Sequence, residues 1–309
     1  MKTSFPQEGV FAALAIPTDA KRRVLKRALA THLAWLREKG VNGVLALGST
    51  GDFVRFNLEE RKAILETIAE LAAPMTVLAN ISDVDIRITT ELGRFARRLK
   101  LPGVAVMPPS FFPVLPADQL AFFETAAEAA QLPVMLYNFP ELTGNRIGIE
   151  TIAKFADRQR MGGIKQSGGE FAYHQELIAL GREKKFGVFS GADTRLSEVF
   201  SMGAAGCIGG LVNFVPEYMV EIFRIHKLGQ AGDATTAITR MKEIGPIIDQ
   251  LTFPINVPAG VEARGFEAGV LKTVISRESE KTYAKIVKEL RAKFRAWKLP
   301  LGETKKGKR

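Results

Sequence analysis

A single cysteine, Cys207, occurs in 309 residues, which excludes an internal disulfide and points to a reducing, cytoplasmic setting. Its small apolar neighbours in AAGCIGG (204–210) fit a buried thiol better than a nucleophile. No stretch approaches the ~20 uninterrupted apolar residues that a membrane-spanning helix needs. The opening segment MKTSFPQEGVFAALAIP (1–17) holds a short apolar run broken by Pro17, which reads as a strand in preference to a signal peptide. Only three histidines are present, His32, His174 and His226, scattered over separate helical stretches. Neither a metal site nor imidazole-centred acid–base chemistry is therefore expected. No GxGxxG or GxxxxGKS/T pattern follows the opening strand, so no nucleotide cofactor is expected.

The charge balance is basic, 43 Lys and Arg against 33 Asp and Glu, for a net +10. The chain end holds Lys298, Lys305, Lys306, Lys308 and Arg309 against Glu303, which places four of those ten charges in a short tail. The rest is spread along helical stretches such as KRRVLKR (21–27) and ELRAKFR (289–295). Without a zinc-finger or helix-turn-helix signature, or a basic and aromatic stripe, neither nucleic acid nor a membrane is an expected partner.

What is present is an apolar pattern that switches period again and again. Strand candidates lie near residues 10, 41, 75, 103, 133, 161, 186 and 205, and a helical stretch follows each one. NLEERKAILETIAELAA (57–73) shows the helical spacing in Leu58, Ile64, Leu65, Ile68 and Leu71, and Pro116 marks the start of another helix. The strands are continuously apolar, as expected where both faces of a sheet are covered. Eight such units over roughly 220 residues predict an α/β fold of the (β/α)8 TIM-barrel type, ahead of a doubly wound sheet. The stretch after residue 214 reads as three or four further helices, one of them after Pro258. The expected division is a barrel over 1–225, a C-terminal helical bundle over 226–297 and a basic, disordered tail over 298–309.

In a barrel, chemistry sits where strands end and βα-loops begin. The second strand ends in GSTGD (48–52), where Ser49, Thr50 and several N–H groups converge beside Gly48, a nest suited to a carboxylate. The same residues also fit a loop capped by its own hydroxyls. The fifth strand ends at Tyr137 and Asn138; the phenol either enters the barrel mouth or is a core aromatic with a satisfied hydroxyl. The sixth strand ends in GGIKQSGG (162–169). Lys165 emerges there from an apolar run, a setting that favours the neutral amine, the nucleophile that condenses with a ketone. A buried ion pair is the alternative, but the strand carries no acid, and Glu170 falls at the start of the next helix, where a carboxylate suits the helix N-terminus. Together, hydroxyls that hold a carboxylate, an amine that captures the adjacent carbonyl and a phenol that moves a proton describe chemistry on a 2-oxo acid. A protonated imine withdraws electrons from the neighbouring carbon, so a C–C bond can break there without a metal.

With these motifs the sequence resembles the dihydrodipicolinate synthase / N-acetylneuraminate lyase family of Schiff-base-forming, pyruvate-dependent aldolases, over about residues 8–295. GSTGD is similar to the family's G-S/T-T-G-E loop, YNFP (137–140) to its Y-N-x-P, and GIKQSGG (163–169) to its G-I/V-K-x-S/T-x-G. The resemblance implies a Schiff-base role for Lys165, a proton-shuttling and carboxylate-orienting role for Tyr137, and carboxylate binding or proton transfer for Ser49 and Thr50. It places Ile208 of GCIGG beside the pyruvate and implies a homotetramer built as a dimer of dimers, or a homodimer. Departures are equally informative. Leu142 stands where the synthases carry an arginine for the semialdehyde carboxylate, and a neutral side chain forms no bidentate carboxylate pair. Ser110 in MPPSFFP (107–113) stands at the family's relay tyrosine, with Phe111 and Phe112 beside it. Asp193 in GADT (191–194) keeps one acid of the lyases' sugar-binding run, while Gly210 replaces a serine.

The expectation is a lyase or aldolase that cleaves or forms the bond between pyruvate and an aldehyde, on a 2-keto-3-deoxy sugar acid or a sialic-acid-like compound. A dehydratase or hydratase-aldolase shares its early steps, dihydrodipicolinate synthase is disfavoured by Leu142, and a non-catalytic 2-oxo acid-binding protein would use the same pocket.

Overall fold

Strands and helices alternate along the computed structural model, which describes residues 5–230 and 234–302. The strands are β1 (Gly9–Ala13), β2 (Gly43–Ala46), β3 (Thr76–Asn80) and β4 (Gly103–Val106), then β5 (Val134–Asn138), β6 (Met161–Gln166), β7 (Gly187–Ser190) and β8 (Gly206–Gly209). Between them run α1 (Lys26–Glu38), α2 (Leu58–Ala72), α3 (Ile86–Arg98), α4 (Pro116–Ala130), the short α5 (Pro140–Thr143), α6 (Ile149–Arg158), α7 (Tyr173–Lys184) and α8 (Leu196–Met202). Each strand pairs in parallel with the next, and β1 pairs with β8, so the sheet closes into an eight-stranded barrel. After β8 come α9 (Pro216–Lys227), α10 (Thr235–Ile248), α11 (Asn256–Ala263) and α12 (Arg277–Ala296). This is a (β/α)8 barrel with a C-terminal helical extension.

Local chemistry explains where the helices begin. Asn57 and Glu60 form a reciprocal capping box at α2, and Asp85 and Ser276 cap α3 and α12. Proline occupies the leading turn of α4 and α9, where a missing N–H costs nothing.

Alternation along the strands sorts their side chains into two cores. Val10, Val44, Val77, Val104, Leu136 and Ile164 face outward to the helices. Phe11, Leu45, Leu78, Ala105, Met135, Tyr137, Phe189 and Ile208 face the barrel axis, with Phe5 packed among them. Both sets are buried, which is why the strands read as unbroken apolar runs. The axial layer is a packed floor, so the polar chemistry is confined to one end of the barrel.

Three expectations need correcting. The helix expected from residue 170 begins at Tyr173. The helix expected after Pro258 starts at Asn256, includes that proline and stops at Ala263. The stretch 264–276 is irregular and not helical, because Gly265 adopts φ +95°, which no α-helix can accommodate. Cys207 is buried on the outer side of β8, and burial pushes its thiol well above the ordinary range. Of the expected basic tail, 303–309 lie outside the described residues, while Leu299 and Leu301 pack against the core. Among the described residues no helix is long and apolar enough to cross a membrane.

The floor leaves no space at Gly43, where an added Cβ would lie 2.3 Å from the Thr76 carbonyl oxygen and 2.5 Å from the Phe11 ring. Neither backbone nor axial ring has room to yield, so Gly43→Ala is expected to cost about 3 kcal/mol, measured as a lower urea midpoint at unchanged slope.

Candidate active site

The β5–β6 register sets Tyr137 directly beside Lys165, and the β6–β7 register sets Lys165 beside Phe189. All three side chains therefore point down the same axis. Lys165 is 4% exposed, and its Nζ donates to the Tyr137 hydroxyl at 2.9 Å. The amine also lies 4.1 Å from the centre of that ring. A primary amine is thus buried at the barrel mouth against a phenol instead of a carboxylate. Glu170, expected as a charge at a helix start, pairs at 2.6 Å with Arg146 outside the site. The Arg146 guanidinium stacks 3.7 Å from the Tyr173 ring centre, which holds that pair away from Lys165.

The GSTGD turn closes above strand β2 as a short 3-10 turn, Ser49–Gly51, ending at Asp52 in the left-handed region. It delivers its two hydroxyls differently. The Ser49 hydroxyl lies 3.3 Å from that of Tyr137 and 3.9 Å from the Met107 sulfur. Thr50 is buried on the same turn, and its hydroxyl takes no hydrogen bond among the described residues. A chain therefore runs from Lys165 through Tyr137 to Ser49, and a separate, free hydroxyl faces the Gly210 end of β8. Gly48 begins the turn and packs on Leu45. The Ile208 side chain is part of the axial floor, so what β8 offers the mouth is its glycine backbone.

Asp193 follows β7, and its carboxylate lies against Gly209. One oxygen accepts the Leu211 N–H at 2.8 Å. The other is buried with no hydrogen-bond partner among the described residues. Burial pushes this carboxyl up to about 6, against the lowering pull of the Leu211 N–H, of nearby Lys165 and of the Gly210 N–H. Here is an acceptor held beside the amine and left unpaired.

A cavity of about 610 Å³ opens above Ser49, and Ser110, Phe111 and Leu142 lie on its wall; Phe112 is exposed beside it. Phe111 takes φ +83°, a strained position for a bulky residue, and its ring meets Phe112 edge-on at 4.7 Å. Ser110 makes no hydrogen bond to the Lys165–Tyr137–Ser49 chain, and its hydroxyl is unbonded among the described residues.

Several contributors escaped the sequence reading. Glu141 on α5 accepts the Gly169 N–H at 2.5 Å and so ties the loop after Tyr137 to the loop after Lys165. Gly168 takes φ +96° there, and a Cβ would lie 2.0 Å from a Glu141 oxygen; this is why glycines follow the lysine. Asn138 donates to Gln166 at 2.7 Å and reinforces the same link. Arg61, 1% exposed, pairs with Asp83 at 3.0 Å and lies under the Phe53 ring; burial, opposed by Asp83, lowers it to about 10. Phe253 and Pro254 reach the cavity from the connection between α10 and α11. The available signal was an aromatic–proline pair interrupting an otherwise helical stretch.

The family model described as the Dihydrodipicolinate synthetase family matches residues 6–293. The chain is 31% identical over 288 residues to 4-hydroxy-tetrahydrodipicolinate synthase of Methanosphaerula palustris, covering 90% of this chain and 96% of that one. It is 29% identical over 287 residues to the enzyme of the same name from Methanosarcina mazei, covering 92% and 97%. Among solved structures it is similar to YagE, a prophage protein of Escherichia coli K12 in complex with pyruvate, at 28% identity and TM-score 0.85, covering 94% and 99%. The fold, the site and these likenesses define a class I, pyruvate-dependent aldolase or lyase. The chain belongs to the dihydrodipicolinate synthetase family.

The Asp193 assignment yields a pH signature. An acid whose folded-state value is raised contributes no penalty below about pH 4, where folded and unfolded forms are both protonated. The cost develops as pH rises from about 4 to about 6 and is complete above that. Wild type is expected to lose up to about 3 kcal/mol relative to Asp193→Asn over this window, measured by urea unfolding at each pH.

Proposed function

We propose that the protein is a Schiff-base lyase acting on 4-hydroxy-2-oxo acids, releasing pyruvate and an aldehyde, and joining them in reverse. The observation that carries this reading is the Lys165 Nζ to Tyr137 Oη contact at 2.9 Å, beneath two hydroxyls at the barrel mouth. Lys165 attacks C2 of the 2-oxo acid, and loss of water leaves a protonated imine. Tyr137 takes the proton of the C4 hydroxyl and hands it toward Ser49. The C3–C4 bond breaks, its electron pair enters the enamine, and the aldehyde departs. Protonation at C3 and hydrolysis of the imine release pyruvate and restore the amine.

Thr50, with the amides of its turn and the β8 glycine backbone near Ile208, holds the substrate carboxylate in this reading. Ser110 and Leu142 face the aldehyde half, while Asp193 keeps its unpaired oxygen buried against Gly209 and supports the backbone after β8 through the Leu211 N–H. The 2-keto-3-deoxy acid core is the part shared by sugar acids and sialic-acid-like compounds. Leu142 on the cavity wall supports an aldehyde that is not anchored through a carboxylate. Self-association as a homodimer or homotetramer is part of the same reading, supported by the exposure of Val54, Phe112 and Leu115 around the mouth.

Borohydride reduction in the presence of pyruvate is expected to add a stable mass to Lys165, located by peptide mass spectrometry. An unmodified lysine at saturating pyruvate would refute the reading, and Lys165→Arg serves as the untrappable control. Light scattering is expected to return a dimer or tetramer mass, and a monomer at micromolar concentration would remove the oligomeric part.

A further inference from the structure

The cavity above Ser49 is unevenly equipped, and the imbalance bears on the aldehyde half of the substrate. Its charged lining is already engaged: Asp52 with Arg55 at 3.0 Å, and Asp83 with Arg61 at 3.0 Å. Ser82 donates to Asn80 at 2.6 Å and accepts the Met107 N–H at 2.8 Å. The Thr143 hydroxyl turns back to the Asn145 carbonyl at 2.9 Å, and Ser49 serves Tyr137. Of the polar lining, only Ser110 keeps a side chain without a hydrogen bond among the described residues.

Facing these groups is an apolar wall. The rings of Tyr137, Phe139 and Phe253 follow one another at centroid spacings of 6.3 and 6.2 Å, a ladder leading from the amine toward solvent. Leu142 and Pro254 line the cavity beside it, with Leu142 46% and Phe253 37% exposed. A chain of hydroxyls laid on such a wall would give up water against a lining in which Ser110 is the one polar side chain not already hydrogen-bonded among the described residues, which opposes binding. An apolar group gives up no hydrogen bonds and gains contact with rings and a branched side chain.

Resting on the Schiff-base reading above, we propose that the aldehyde carries an aromatic or branched-alkyl group, seated on Leu142, Phe253 and Pro254, in place of a polyol. The sugar tail expected from the sequence is thereby replaced, while the 2-keto-3-deoxy acid core and its C4 hydroxyl at Tyr137 are retained. The step balances without a further reagent. The enamine carbon of bound pyruvate supplies the electron pair to the aldehyde carbon, and the aldehyde oxygen takes a proton from Tyr137. Water then cleaves the imine, yielding a 4-hydroxy-2-oxo acid with an apolar substituent at C4.

The test pairs two measurements on the full-length protein. Borohydride trapping with pyruvate alone reports on the amine and is blind to the tail. Aldol addition of pyruvate is then followed with benzaldehyde and isobutyraldehyde against D-glyceraldehyde and N-acetyl-D-mannosamine. The expected result is trapping together with a kcat/KM at least about tenfold higher for the apolar pair. Phe253→Ala and, independently, the surface change Leu142→Ala are each expected to lower the apolar-to-polyol ratio about fivefold or more. Trapping with equal or higher kcat/KM for the polyol aldehydes would overturn the inference and leave the Schiff-base reading standing. A ratio unmoved in both variants would also overturn it. Absence of trapping would remove the reading itself, and the inference with it.

Discussion

One contact organises this molecule: a lysine amine and a tyrosine hydroxyl, 2.9 Å apart, on neighbouring parallel strands. Their closeness is a property of the β5–β6 register, because residues paired across a parallel ladder point to the same side of the sheet. A slip of one residue would send Lys165 outward among the helices, where Ile164 now packs. The register in turn is guarded from above the sheet. Asn138 bonds Gln166, Ser167 donates its N–H to the Asn138 carbonyl, and Glu141 clamps Gly169. These contacts tie the loop after Tyr137 to the loop after Lys165.

The barrel supplies that pair with an apolar floor and an open roof. Phe5, Phe11 and Phe189 fill the axis below, and Phe11 meets Phe189 edge-on at 5.8 Å. Water therefore approaches Lys165 from the mouth alone, the side on which the hydroxyls of Ser49 and Thr50 stand. The two hydroxyls have separate partners although they are adjacent in sequence. A 3-10 turn spaces successive side chains by about a third of a circle, so one meets Tyr137 while the other faces β8. Contact with the phenol and the approach to β8 are thereby divided between neighbours.

The helices beyond the barrel are part of the site as well as its support. α10 and α11 carry Phe253 and Pro254 to the mouth, where they complete a wall begun by Leu142. The strands hold the amine and phenol, while loops and the extension form the cavity wall beside them. Family members with one chemistry can then differ in the aldehyde they accept without disturbing the barrel core.

Much of this was legible in the residues. Eight apolar runs at regular spacing, each followed by a helical period, specify a parallel sheet covered on both faces, and their number favours closure into a barrel over a doubly wound sheet. The strand-end rule then singled out Lys165, Tyr137, Ser49 and Thr50. Tertiary structure alone decided which hydroxyl meets the phenol, that Glu170 turns to Arg146, and that Phe253 lines the same cavity as the distant Leu142. Periodicity reports the side of an element that is buried, which is a local property set by solvent. Which group faces which across a cavity depends on turn geometry and on packing between distant segments, and no window of sequence contains both partners.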